Sequence, residues 1–532
     1  MKSLLSTVSR SATDRPPIGL TLLAGAIAAS MVFPLTWLLL QAANVQPDRA
    51  WQLLASPRTF DVLFNSILLM GGVTAASVLV GVPLAYLTVR TDLPFRRFWT
   101  IAVALPLVVP SYIGAFAFVS AFGPRGEFHS ILAPLGIERL PEIYGLPGSI
   151  LVITLYTYPY VYLTTRAALL SFDTSLVDAA RTLNHGRWRT FRRVTLPHLR
   201  PAIAAGALLA ALYAVSDFGT PAIMRLSVFT REIYVENQMF GREYASLLSL
   251  QLLAIVLVVL ALESRIRPDE NIQSDGSGRS SASRVALGKW RWPATLLPAA
   301  VSSLALVVPI WILGLWVVRS DGGGRADLAF EWGYAFNSVA VSFVTALVAA
   351  AAALPVAYFA AKHDSPLATI FERATYVGFA VPGIVLAFAL VYFGTGYAPA
   401  IYQTLPLLVF AYVVRFMPQA VGAIRTTTLQ IDPTLVESAR TLGDAPLGAF
   451  RRVTLPLIAP GVSAGAALVF LTTMKELPAT LVLRPAGFET LVTQIWRAQE
   501  AAYFQYAAVP ALLIIVVSGL SMVIMLSQER LH

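Results

Sequence analysis

Cysteine is absent from all 532 residues. Without a thiol the chain has no disulfide, no Cys-ligated zinc or iron–sulfur cluster and no Cys nucleophile. Charge is scarce as well: Asp, Glu, Lys and Arg make up 13% of the residues, against about 25% in soluble domains. That excludes an ordinary globule, whose watered surface needs those charges. The histidines His129 and His185 stand alone in loops and have no metal-ligand spacing. No Gly-x-x-x-x-Gly-Lys-Ser/Thr occurs, so the chain has no loop to cradle nucleotide phosphates. Gly288-Lys289 lacks both the first glycine at that spacing and the hydroxyl after the lysine.

What is present is apolar. Hydrophobic residues make up 57%, and the mean hydropathy is +0.68. A membrane-spanning helix needs about 20 mostly apolar residues. Such runs occur at 18–43, 65–88, 98–122, 148–170, 201–224 and 245–262, and again at 292–318, 336–361, 374–394, 401–423, 460–483 and 504–526. The expected fold is an all-α membrane protein with about twelve transmembrane helices. The first run follows Lys2, Arg10 and Arg15. It exceeds the apolar stretch of about 7–15 residues in a cleaved signal peptide. An uncleaved first helix with a cytoplasmic N-terminus is expected.

The net charge of +10 sits mostly in short loops between these runs. This is the positive-inside bias, not the clustered basic face of a nucleic-acid binder. It assigns the loops 90–97, 166–200, 263–291, 362–373 and 425–459 to the cytoplasm, with both termini on that side. The stretch 264–291, with Ser274-Asp-Gly-Ser-Gly-Arg-Ser-Ser-Ala-Ser283, has the composition of a solvated linker. It divides the chain into a cytoplasmic N-terminus (1–17), a first transmembrane domain (18–263), the linker (264–291) and a second transmembrane domain (292–532).

The two domains repeat. Leu176-Val-Asp-Ala-Ala-Arg-Thr-Leu183 and Phe191-Arg-Arg-Val-Thr-Leu-Pro197 return 259 residues later as Leu435-Val-Glu-Ser-Ala-Arg-Thr-Leu442 and Phe450-Arg-Arg-Val-Thr-Leu-Pro456. Upstream, Asn65-Ser66, Pro83 and Tyr86 return 272 residues later as Asn337-Ser338, Pro355 and Tyr358. Both copies follow the fourth span of their half, so the repeat is parallel, with six helices in each half.

The repeated loop has its own local physics. Ser175 to Asp178 and Thr434 to Glu437 fit a capping box, while Asp432-Pro433 suits an alternative start two residues earlier. Gly186 and Gly443 are placed to end the short helix in the left-handed conformation. Pro197 and Pro456 mark re-entry into a membrane helix. Topology alone needs positive charge, but not this spacing twice over. A structured, exposed loop of this kind points to a docking element.

The pattern Glu437-Ser-Ala-x-x-x-Gly443, then Val453-x-Leu-Pro456, resembles the EAA loop of permease subunits of ATP-binding-cassette (ABC) importers. The first copy, Asp178-Ala-Ala-x-x-x-Asn184 then Val194-x-Leu-Pro197, has the same spacing, with Asp178 for the family's Glu and Asn184 for its Gly. The resemblance implies a non-enzymatic subunit in a bacterial inner membrane. Its docking loops, Asp178, Ala179, Ala180, Arg181, Asn184 and Gly186 and again Glu437, Ser438, Ala439, Arg440 and Gly443, would seat two ATPase partners. Those partners would use ATP-Mg, and this chain would bind no cofactor or metal. A periplasmic binding protein would deliver the substrate. The fused layout, with Ser216-Asp-Phe-Gly-Thr-Pro221 and Lys475-Glu-Leu-Pro-Ala-Thr-Leu-Val-Leu-Arg-Pro485, resembles ferric-iron permeases and, less closely, thiamine and phosphonate permeases. A secondary transporter is the alternative from another class.

Asp217 and Glu476 are also repeat-equivalent, and both fall within expected spans. Carboxylates in a bilayer are costly. Two of them suit a hard cation such as Fe³⁺; alternatively Asp217 caps a broken helix and Glu476 pairs with Lys475 or Arg484. Tyr156, Tyr158, Tyr160 and Tyr162 line a pathway or form an interfacial belt. Pro83, Pro106, Pro110, Pro355 and Pro382 are expected to kink their helices.

Overall fold

A computed structural model describes residues 17–123, 126–128, 133–136, 142–172, 177, 180, 182, 186–239, 241–266, 285–319, 328–363 and 365–528. Among these the chain is helical, with one isolated parallel bridge between Thr91 and Val285. In the first half the main helices are α1 (Ile18–Ala43), α2 (Pro57–Arg90), α3 (Ser111–Phe122), α4 (Gly145–Ser171), α5 (Leu196–Ser216) and α6 (Arg242–Ile266). In the second they are α7 (Val308–Arg319), α8 (Trp332–Lys362), α9 (Gly383–Tyr397), α10 (Leu405–Leu429), α11 (Leu455–Met474) and α12 (Gln505–Gln528).

Nine helices among the described residues are long and apolar enough to cross a bilayer, or eleven if each of two bent pairs is one span. The run expected at 504–526 corresponds to α12, whose described apolar stretch is the shorter Gln505–Leu520. The runs expected at 98–122 and 374–394 are not straight. Arg96–Val108 meets Ser111–Phe122 at 95°, and Pro366–Ala380 meets Gly383–Tyr397 at 101°. The prolines explain the bends. Pro110 and Pro382 take an extended ψ of 135° and 139° immediately before α3 and α9. Proline supplies no N–H and pushes its predecessor out of the helical region, so each helix must restart. Pro83 and Pro355 instead lie inside the continuous helices α2 and α8.

The pattern of burial identifies the solvent. Along α2 the buried stripe contains Ser66, Ser77, Gly81 and Thr88, while Phe60, Phe64 and Leu79 (75% exposed) point outward. Polar and small side chains inside with large apolar ones outside is the reverse of a soluble helix. It is what helix packing in lipid favours, where small residues bring backbones together. A Cβ at Gly81 would lie 3.0 Å from the Tyr158 carbonyl oxygen and 3.0 Å from the Tyr162 nitrogen, both on α4. Ser77 and Thr157 hydroxyls meet at 3.1 Å across the same interface.

Packing groups the described chain into two compact units. One draws on Met1–Thr36, Val341–Phe379 and Val409–Thr473; the other on Trp37–Ala340, Ala380–Leu408 and Met474–His532. Within each, the repeat reappears as packing. Gly206 of α5 faces the Val161 Cα of α4, and Gly465 of α11, 259 residues on, faces the Ala420 Cα of α10. The Asn-Ser pairs recur as clamps. Asn65 donates to the Ser227 carbonyl, and Ser66 Oγ accepts the Phe229 N–H, the first of helix Phe229–Gln238. Asn337 donates to the Glu489 carbonyl, and Ser338 Oγ accepts the Leu491 N–H, the first of helix Leu491–Glu500. Each pair satisfies a helix-terminal group that would otherwise be unpaired.

Candidate functional site

The second copy of the repeated loop is fully described. Asp432 is the N-cap of helix Pro433–Thr441, accepting the Thr434 N–H at 3.0 Å, with Pro433 in the first turn. The Asp432 register therefore holds, not the Thr434–Glu437 box. Gly443 has φ +98°. Its N–H reaches the Arg440 carbonyl, and the Asp444 N–H reaches the Ala439 carbonyl. This paired return satisfies the last carbonyls, and only glycine takes that φ without strain. Ala439 faces inward, while Glu437, Ser438 and Arg440 are exposed. So are Leu442 (89%) and Leu447 (69%), an unusual place for large apolar side chains in a polar loop.

In the first copy Asp178, Ala179, Arg181 and Asn184 lie outside the described residues, as do His129, His185 and most of the linker. Ala180 is buried, as its counterpart Ala439 is. The expectation for Gly186 was wrong. Its carbonyl accepts the Thr190 N–H that opens helix Arg187–Thr190. The reason is register: Gly186 corresponds to Ala445, whose carbonyl opens helix Pro446–Ala449 in the same way. The residue matching Gly443 is Asn184.

Both copies then widen into one π turn, Phe191–Thr195 and Phe450–Thr454, just before Pro197 and Pro456. A proline ring crowds the carbonyl four residues back, and a wider turn relieves that crowding. Phe191 meets Tyr86 edge-on at 5.4 Å, and Phe450 meets Tyr358 edge-on at 5.1 Å. Each loop is thereby fixed to the long second or eighth helix.

Asp217 and Glu476 do not lie within helices, as the sequence suggested. α5 ends at Ser216 and α11 at Met474, and short helices Gly219–Ile223 and Pro478–Leu483 follow. Each carboxylate sits in the break, just before the short helix. Asp217 accepts the Ser111 hydroxyl at 2.9 Å. Glu476, 6% exposed, accepts the Ala479 N–H at 3.2 Å. Ser111 in turn accepts from Tyr213 at 3.1 Å.

The two breaks share a neighbour. A Cβ on Gly219 would lie 2.5 Å from the Tyr112 Cβ and 3.3 Å from the Leu477 side chain. Tyr112 lies within electrostatic reach of Glu476, Tyr213 and Asp217, and its buried phenol oxygen makes no hydrogen bond among the described residues. Sequence reasoning missed Tyr112, Ser111 and Tyr213. The repeat hides Tyr112, because the second half has Ile384 at the corresponding place. Its position just after the bend at Pro110 was the available signal.

Arg484 pairs with Glu489 at 2.5 Å. Tyr156, Tyr158 and Tyr162 are not an interfacial belt: all three are buried and donate to the carbonyls of Ala305, Val103 and Thr100. Tyr160 stands against Tyr213, ring centres 6.3 Å apart. Among the described residues no group of three or more His, Cys, Asp or Glu is arranged to hold a metal ion.

Comparison with known proteins bears on these features. The profile of the binding-protein-dependent transport system inner membrane component family matches residues 77–268 and 353–531, one segment in each half. A protein of Haemophilus influenzae named Fe(3+)-transport system permease protein FbpB 2 is 32% identical over 95% of this chain and 97% of its own length. Probable ABC transporter permease protein y4fN of Sinorhizobium fredii is 25% identical over 97% of this chain and 96% of its own length. Molybdenum transport system permease protein ModB of Escherichia coli is 31% identical over 30% of this chain and 70% of ModB.

Proposed function

The chain belongs to the binding-protein-dependent transport system inner membrane component family, and on that premise we propose that it forms the complete translocation pathway of an ABC importer for ferric iron. The observation that carries the reading is the exposed, doubly capped helix Pro433–Thr441, with Leu442 and Leu447 turned outward beside Glu437 and Arg440. An apolar knob ringed by charge suits insertion into a partner's groove. The π turn and aromatic pair common to both loops support a second, parallel docking element around Asp178, Ala179, Ala180, Arg181, Asn184 and Gly186.

In this reading domains 18–263 and 292–532 are joined by a cytoplasmic linker at 264–291, and both termini are cytoplasmic. Two ATPase subunits hydrolyse ATP-Mg, and a periplasmic binding protein supplies the substrate. Closure of the ATPases pulls on the two loops, and the halves rock to open inward. Ferric iron is favoured by the ferric-transport name of the Haemophilus relative and by the oxygen-rich neighbourhood of Asp217, Glu476 and Tyr112. Thiamine and phosphonate are the alternative cargoes. A secondary transporter would need no ATPase partner.

The test is Glu437→Arg. Transport and transport-coupled ATP hydrolysis should fall at least tenfold, the effect of losing about 1.4 kcal/mol or more of coupling, while the chain still inserts. Unchanged coupling would remove the docking assignment.

A further inference from the structure

The breaks after α5 and α11 differ in the side chains that the bends bring to them, and the repeat shows how. Pro110 returns 272 residues later as Pro382, so Ser111 and Tyr112 correspond to Gly383 and Ile384. The offset of 259 relates Asp217 to Glu476. Both halves therefore keep a carboxylate in the break. Only the first half adds a serine hydroxyl and a phenol at the bend.

The second half shows what packing requires at this place. Ile384 is fully buried and carries no polar atom, so a bend of this kind is built without a hydroxyl. Tyr112 is just as deep, 5% exposed, and carries one. Its phenol oxygen makes no hydrogen bond among the described residues. Other tyrosines of the same region do not pay that penalty. Tyr156 donates to the Ala305 carbonyl, Tyr158 to the Val103 carbonyl and Tyr213 to Ser111 Oγ. A buried hydroxyl without a partner costs stability, and in a native interior it calls for an explanation such as a bound ion.

The position of Tyr112 supplies one. Its neighbour Ser111 donates to the Asp217 carboxylate at 2.9 Å. Its Cβ lies 2.5 Å from the place a Cβ on Gly219 would take, and the side chain of Leu477, next to Glu476, lies 3.3 Å from that place. The phenol is within electrostatic reach of both carboxylates. An oxygen left open near two carboxylates matches the preference of a hard cation for oxygen donors.

We propose that Tyr112 determines specificity for the cargo: its phenol oxygen, together with the carboxylates of Asp217 and Glu476, holds ferric iron on its way through the membrane. This rests on ferric iron being the cargo, and it assigns the oxygen that completes the site. It also makes the path asymmetric, since the first half supplies the phenol and the second has Ile384 in its place.

The test is Tyr112→Phe, which removes one oxygen and keeps the ring. The full chain, reconstituted in liposomes with ATPase and binding-protein partners, should take up radioactive iron about tenfold more slowly, the lower end of what losing a group at a metal site costs. Without iron, the purified variant should unfold at the wild-type temperature or slightly above it, because no hydrogen bond is lost. Ferric citrate should raise the unfolding temperature of the wild type, as a ligand of the folded state does, and about tenfold more of it should be needed for the same rise in the variant. Unchanged uptake by the variant would overturn the proposal, and so would a ferric response equal to that of the wild type. A lower unfolding temperature of the iron-free variant would also overturn it, showing the phenol to be a structural group. Absence of iron uptake by the wild type would overturn the ferric reading itself, and the proposal with it.

Discussion

Gly219 has no room for a side chain, because Tyr112 and Leu477 already fill the space its Cβ would take. That crowding brings the two carboxylate-bearing breaks around one tyrosine. Asp217 accepts the Ser111 hydroxyl and Glu476 the Ala479 N–H, and such local hydrogen bonds alone account for a carboxylate in each place. They do not account for Tyr112, whose buried phenol makes no hydrogen bond among the described residues, a costly state. Asp217→Asn together with Glu476→Gln keeps acceptors for the Ser111 hydroxyl and the Ala479 N–H and removes both charges. Iron uptake should fall at least tenfold with ATPase binding intact, as measured by radioactive iron accumulation. Normal uptake would confine the two residues to local hydrogen bonding. The residue types were legible in the sequence, as was their equivalence. Their position was not: a helix that stops at Ser216 or Met474 has the same apolar composition as one that continues.

Helix Pro433–Thr441 shows what an element of nine residues needs in order to stand exposed. It is too short to be stable on propensity, so its ends do the work. The Thr434 N–H holds the Asp432 carboxyl below its usual range. A depressed carboxylate stabilises the folded element above its ordinary pKa, and that contribution is lost as pH falls through the depressed value. At neutral pH the cap is therefore complete. Asp432→Ala should speed hydrogen exchange of the first-turn amides and weaken ATPase coupling, while Asp432→Asn should retain both; equal protection in all three would show the cap to be dispensable. The sequence offered two registers for this start and could not choose, since threonine and aspartate are both accepted caps. Gly186 was misread for a related reason. Glycine signals freedom, and whether that freedom is used for a left-handed turn depends on which residue of the loop it matches.

For the whole molecule, the proposed pair of docking loops would fix a stoichiometry. Native mass spectrometry of the assembled complex should give one chain to two ATPase subunits, and a one-to-one complex would overturn the reading. The halves of the sequence are not the units of packing, because residues 380–408 and 474–532 group with the first half. The sequence by itself determined the bilayer as solvent, the helical class, the duplication and the family. These rest on composition and on periodic spacing, which are local and survive unfolding. Only the tertiary structure decided that Tyr86 meets Phe191 as Tyr358 meets Phe450, that prolines 110 and 382 turn the chain through right angles, and that Tyr112 packs against Gly219. Such meetings join residues far apart along the chain. They are fixed by which backbones approach closely enough to exclude lipid, and no local pattern records that.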